Sequence, residues 1–184
     1  MDYYGAKELA ESFRTVRKNT IRTAEDIPED KYDFRATPDT RTVAQTLAHI
    51  AIASGGAYQS HAVDRIQTFV GVDFAALIKA REEQASQLTS KPQILEALRD
   101  SGETWARYLG GVTEPALAER VTFSPDGTPP SKSRFEMLLS VKEQEMHGRA
   151  QLMLIQRMLG IVPHLTRERE ARMAEAANKT TPGR

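Results

Sequence analysis

Hydrophobic residues recur along this chain at helical spacing, most continuously between Ser131 and Gly160. Pro129 and Pro130 bar upstream extension of that stretch, and Gly160 and Pro163 end it. At about 100° per residue, Met137, Val141, Gln144, Gly148, Leu152, Ile155 and Leu159 share one face. That face predicts the seam of a helix packed inside a bundle. Gln144 and Gly148 stand in it where a core wants Leu or Ile, one turn apart and pointing inward. A gap of that kind is where a bundle can build a site.

Three more long helices follow from the same pattern. Tyr3 to about Ala24 carries Leu9, Phe13, Val16 and Thr20 on one side. Arg14, Arg17, Lys18 and Arg22 line the other, read as a solvated face in preference to an anion patch. Ile27 to Thr40 is a loop whose Tyr32 and Phe34 anchor it to the bundle end. Thr40 or Thr42 caps a second helix reaching about Ile66, with Val43, Leu47, Ile50, Ser54, Ala57 and His61 in a stripe. His49 falls well off that stripe, and Gly55-Gly56 permits close helix approach or a kink. A helix from about Pro92 to Leu109 is expected to bury Ile94, Leu98, Trp105, Tyr108 and Leu109. Gly71 to Thr89 is a short helix capped by Asp73, inside a long crossover. In Gly110 to Pro130, Val121, Phe123 and Asp126-Gly127 predict a short hairpin or an ordered lid.

The predicted fold is all-α, a four-helix bundle with a long crossover connection and a short extra helix. Residues 1–165 form a single domain; residues 166–184 form a polar tail, partly helical, with disorder expected in its last residues, NKTTPGR.

Composition narrows the function classes. The 184 residues, 40% hydrophobic, suffice for one well-buried core. Lys plus Arg and Asp plus Glu each number 25, so no global field favours nucleic acid or an acidic membrane. Cysteine is absent, which removes disulfides, thiolate metal sites and a cysteine nucleophile. No apolar run has signal-peptide or membrane-span length, so a cytoplasmic protein is expected. Beside the seam, Ser140, Gln144, His147 and Gln151 form a polar stripe, read either as a pocket floor or as a hydrogen-bonding boundary. Asp64, Glu143 and Glu145 read as ordinary surface carboxylates.

Three stretches together resemble the DinB-like (YfiT-like) superfamily of four-helix bundles: YDFRATP at Tyr32–Pro38, TVAQTLAHIA at Thr42–Ala51, and Glu145–Gly160. The resemblance implies a divalent metal held by three histidines, as in metal-dependent thiol S-transferases and a maleylpyruvate isomerase, and frequent dimers. Of the three ligand positions, His49 matches; Gln144 and Gly148 occupy the other two. His147 resembles a non-ligand neighbour. A shifted set of His49, Glu143 and His147 would need the last helix rotated, turning Val141 and Leu152 out of the core. The metal site therefore reads as degenerate and no cofactor is expected, with zinc or nickel as the alternative. Two functional readings remain: a metal-dependent transferase- or hydrolase-like enzyme retaining His49, or a metal-free bundle binding a small molecule or a protein. A homodimer is expected, from the resemblance and from apolar surface at Ala44, Ala48 and Ala53.

Overall fold

A computed structural model of the chain describes residues 4–123 and 127–180. Its four principal helices begin where the sequence supplies an acceptor for orphan backbone N–H groups. α1 (Ala6–Asp26) starts with the Glu8 carboxylate accepting the Gly5 N–H at 3.1 Å. α2 (Val43–Tyr58) opens on a reciprocal capping box, Thr42 with Gln45. α4 (Lys91–Gly111) does so with Ser90 and Gln93, and α6 (Arg134–Met158) with Ser133 and Glu136. Each such cap contributes about 0.5–2 kcal/mol. The connections carry α3 (Phe74–Ser86), capped by Asp73, and the single turn α5 (Glu114–Ala118). β1 (Arg120–Thr122) pairs antiparallel with β2 (Ser131–Ser133), the expected short hairpin; Asp126 of its turn lies outside the described residues. α7 (His164–Thr180) makes the tail helical through Thr180, further than expected, and residues 181–184 lie outside the description.

α1 packs on α4 and α6, α2 packs on α4 and α6, and α3 lies along α2. α2 ends sooner than the expected Ile66. Past Tyr58 it passes into a π-helical turn, Gln59–Val63, and Arg65 adopts a left-handed backbone at φ 49°. The apolar core forms two clusters. Val43, Leu47, Ile50, Ile94, Leu98, Leu152 and Tyr32 fill one. Leu9, Phe13, Trp105, Leu109, Leu117 and Leu138 fill the other. Trp105 is fully buried, and Tyr32 and Phe34 anchor their loop as predicted. Ala48 is core too, so it cannot belong to an association surface.

The facing of α6 differs from the prediction. Gln144 is exposed, and Glu145 is the residue turned inward, only 3% exposed. Arg17, read as part of a solvated face, is buried as well, at 4%. The reason is mutual: Arg17 Nε donates to both Glu145 oxygens at 3.0 and 3.1 Å, and Nη2 donates to Oε2 at 2.9 Å. Nη2 also donates to Ser54 Oγ, and Nη1 to the Leu98 carbonyl and Ser101 Oγ. All five guanidinium donors thus have acceptors. Arg17 from α1, Ser54 from α2, Leu98 and Ser101 from α4 and Glu145 from α6 make one polar layer tying the four principal helices together.

Candidate functional site

That layer is saturated, so it has no donor left for a ligand. The expected site residues lie nearby. His49 and Gln144 line one narrow crevice with Ile50, Ala53, Val141 and Glu145. Gly148 does face α2, but the space is taken: a Cβ built on it would stand 2.9 Å from Ile50 Cδ1 and 3.2 Å from Ile50 Cγ1. Ser140 is half-buried and its hydroxyl donates back to the Met137 carbonyl at 2.7 Å, a boundary hydrogen bond within the helix. Glu143, His147 and Gln151 are exposed, and none of them lines a cavity with His49.

A three-histidine metal fits these residues poorly. His49 supplies one imidazole, Gln144 a neutral amide, and the third position is a glycine whose side-chain space Ile50 fills. Glu145, the carboxylate in the same crevice, is committed to Arg17. Among the described residues, no three His, Cys, Asp or Glu side chains converge where they could hold a metal ion.

His49 opens more widely on its other side. There α2 and α3 enclose a cleft of about 250 Å³ with Arg41, Gln45, Arg81, Glu82 and Ser86 on its walls. Arg81 lies across the second glycine of the Gly55-Gly56 pair. A Cβ at Gly56 would sit 2.8 Å from Arg81 Nε and 2.9 Å from Nη2, so only glycine leaves room for the guanidinium at this spot. Arg81 has no hydrogen-bond or ion-pair partner among the described residues, and its Nε is wholly buried. Burial draws its pKa below the usual guanidinium value, as expected for a cation without an anion beside it. The His49 pKa is also lowered, first by burial, then by the positive charges of Arg41 and Arg81, against a smaller opposing pull from Glu82. The field inside the cleft is therefore positive. His49 was expected as a site residue; Arg41 and Arg81 were not, and the glycine pair was the one signal in the sequence that pointed to them.

The family model of the DinB superfamily matches residues 12–150. No curated protein matches the chain. Among solved structures, an uncharacterised protein from Clostridium difficile 630 superposes with a TM-score of 0.64 at 12% identity, covering 85% of this chain and 98% of that one. A protein described as Sibling Lethal Factor Precursor, DfsB, gives 0.64 at 13% identity, covering 88% and 100%. A conserved protein from Enterococcus faecalis gives 0.61 at 16%, covering 85% and 96%. At these identities the likeness shows the fold alone.

Proposed function

The chain belongs to the DinB superfamily, and we propose that within it this protein binds a small organic anion in the α2–α3 cleft beside His49, without a metal ion. The observation that carries this reading is Arg81, a half-buried guanidinium with no anion of its own. A buried donor left unpaired costs about 1–3 kcal/mol. A carboxylate entering the cleft removes that cost and accepts two parallel N–H bonds, the geometry guanidinium favours. Arg41 adds a second positive charge on the same cleft, and His49, neutral at pH 7, adds an N–H donor. Gln45 and Ser86 provide the remaining polar contacts.

An anion seated between Arg41, Arg81 and His49 must raise the His49 pKa, because it offsets the two charges that lower it. By linkage, affinity then increases as the pH falls through the His49 titration. The test is an NMR titration of the His49 ring protons with succinate. The expected result is a saturable shift, an upward move of the His49 titration, and loss of both in Arg81→Gln. A His49 ring that ignores millimolar succinate, or responds equally in Arg81→Gln, would sink the proposal.

A further inference from the structure

A second cavity, of about 660 Å³, opens where α2 ends. Its wall is the π-helical turn Gln59–Val63, which carries His61. Single π turns inside helices recur at functional sites, because the extra residue re-aims a side chain that a regular helix would place elsewhere. His61 is 7% exposed and held from two directions. Tyr108 Oη donates to its carbonyl at 3.0 Å, and Arg134 Nη1 lies 3.0 Å from its Nδ1. Arginine can only donate, so Nδ1 is the acceptor and the ring proton sits on Nε2. Arg134 is itself fixed, donating to Glu119 Oε2 at 2.8 Å and to the Ile66 carbonyl at 3.0 Å. Burial and the neighbouring Arg134 charge lower the His61 pKa to about 4, so the ring stays a neutral N–H donor at physiological pH.

The rest of the wall supplies a charge and a flat surface. Arg65 lines the cavity and has no hydrogen-bond or ion-pair partner among the described residues. It is also the non-glycine residue that the described backbone holds at positive φ, a strain that gathers at working positions. Glu119, the acid on this wall, is engaged with Arg134. Tyr58 and Tyr108 meet edge to face at 6.0 Å, with the Tyr58 hydroxyl unpartnered among the described residues. An unpaired guanidinium thus lines the cavity beside an aromatic corner.

We propose that this cavity is a second binding site, for a small aromatic carboxylate. The carboxylate lies between the Arg65 guanidinium and His61 Nε2–H, and the ring packs against Tyr58 and Tyr108. The site is distinct from the cleft at Arg81, with which it shares no lining residue.

The chain reports on this cavity itself. Trp105 is its single tryptophan, with the ring 5.4 Å from that of Tyr108 and 6.5 Å from that of His61. The experiment titrates the full chain carrying Arg81→Gln, which silences the first cleft, with benzoate while following Trp105 emission. A saturable change is expected. Losing the charged contact in Arg65→Gly should weaken it by about tenfold or more. Glycine accepts the left-handed backbone freely, so Arg65→Gly should melt at or above the parent temperature, separating lost binding from lost fold. Benzamide, equal in shape but neutral, should bind more weakly, and phosphate, charged but without a ring, should leave Trp105 unchanged. No saturable response to benzoate overturns the proposal, as does a benzoate affinity indifferent to Arg65→Gly. Phosphate matching benzoate overturns the assignment of an aromatic ligand.

Discussion

Arg17 and Arg81 are placed alike and finished differently. Each lays its guanidinium over a glycine of a neighbouring helix, Gly102 for Arg17 and Gly56 for Arg81, with the absent Cβ making room. Arg17 then meets Glu145, two hydroxyls and a carbonyl, and every donor is used. Arg81 has no hydrogen-bond or ion-pair partner among the described residues. The difference separates a charge paired inside the fold from one left for the proposed ligand, and it goes with burial: Arg17 is buried in the core, Arg81 only half-buried at its edge.

The largest effect should come from breaking the finished site. Glu145→Leu strands Arg17 in the core and should cost about 3–5 kcal/mol in urea unfolding. Adding Arg17→Met should recover most of that loss, since a buried ion pair is often replaceable by apolar side chains. A single substitution costing under about 1 kcal/mol would mean that water reaches the layer.

Arg134 extends the comparison to a buried guanidinium whose partners include a neutral imidazole. The folded pKa of His61 is about 4 against an ordinary value of 6.5. Above pH 6.5 both states are neutral and the full stability is present. As the pH falls toward 4 the unfolded chain takes up a proton that the folded chain refuses. The expected loss over that window is roughly 3 kcal/mol, at about 1.4 kcal/mol per pH unit. It should vanish in His61→Gln, measured as the difference between the two pH–stability curves.

The glycines give a smaller and more direct contrast. Gly102→Ala pushes into a guanidinium pinned by six hydrogen bonds and should cost about 1–3 kcal/mol. Gly56→Ala displaces an arginine with no bonds to lose, and alanine favours a helix interior by up to about 1 kcal/mol, so its melting temperature should hold or rise. Equal destabilisation by the two would erase the distinction between the sites. The mildest test supplies Arg81 with an internal partner. Ala85→Glu, one turn along α3, should stabilise by only about 0.2–0.5 kcal/mol as an i,i+4 pair. It should nevertheless compete away succinate binding.

Much of the architecture was legible because it depends on local signals. Thr42, Ser90 and Ser133 each cap a helix that the apolar period had already outlined, and Trp105, Leu98 and Leu109 are buried where that period put them. The facing of α6 was not legible. Glu145 reads as surface to any pattern of apolar residues, and what buries it is an arginine 128 positions away. The sites divide the same way. His61 lay on the α2 stripe and is buried, and His49 lay off it and is exposed. Arg81, by contrast, sits on a helix with no fully buried residue, so nothing in its own neighbourhood of sequence distinguishes it from a solvated charge. Its counterpart, Gly56, is the half of the contact that the sequence did display.

The packing of Ile50 against Gly148 also constrains which substitutions the pair can accept. Any side chain at position 148 would meet Ile50 at its point of attachment, a histidine of the expected three-histidine set included. Placing a histidine there by one substitution crowds Ile50, and shrinking Ile50 alone opens a void. The two residues act as a ratchet: with both in place, a larger side chain at position 148 comes only with a matching change at Ile50.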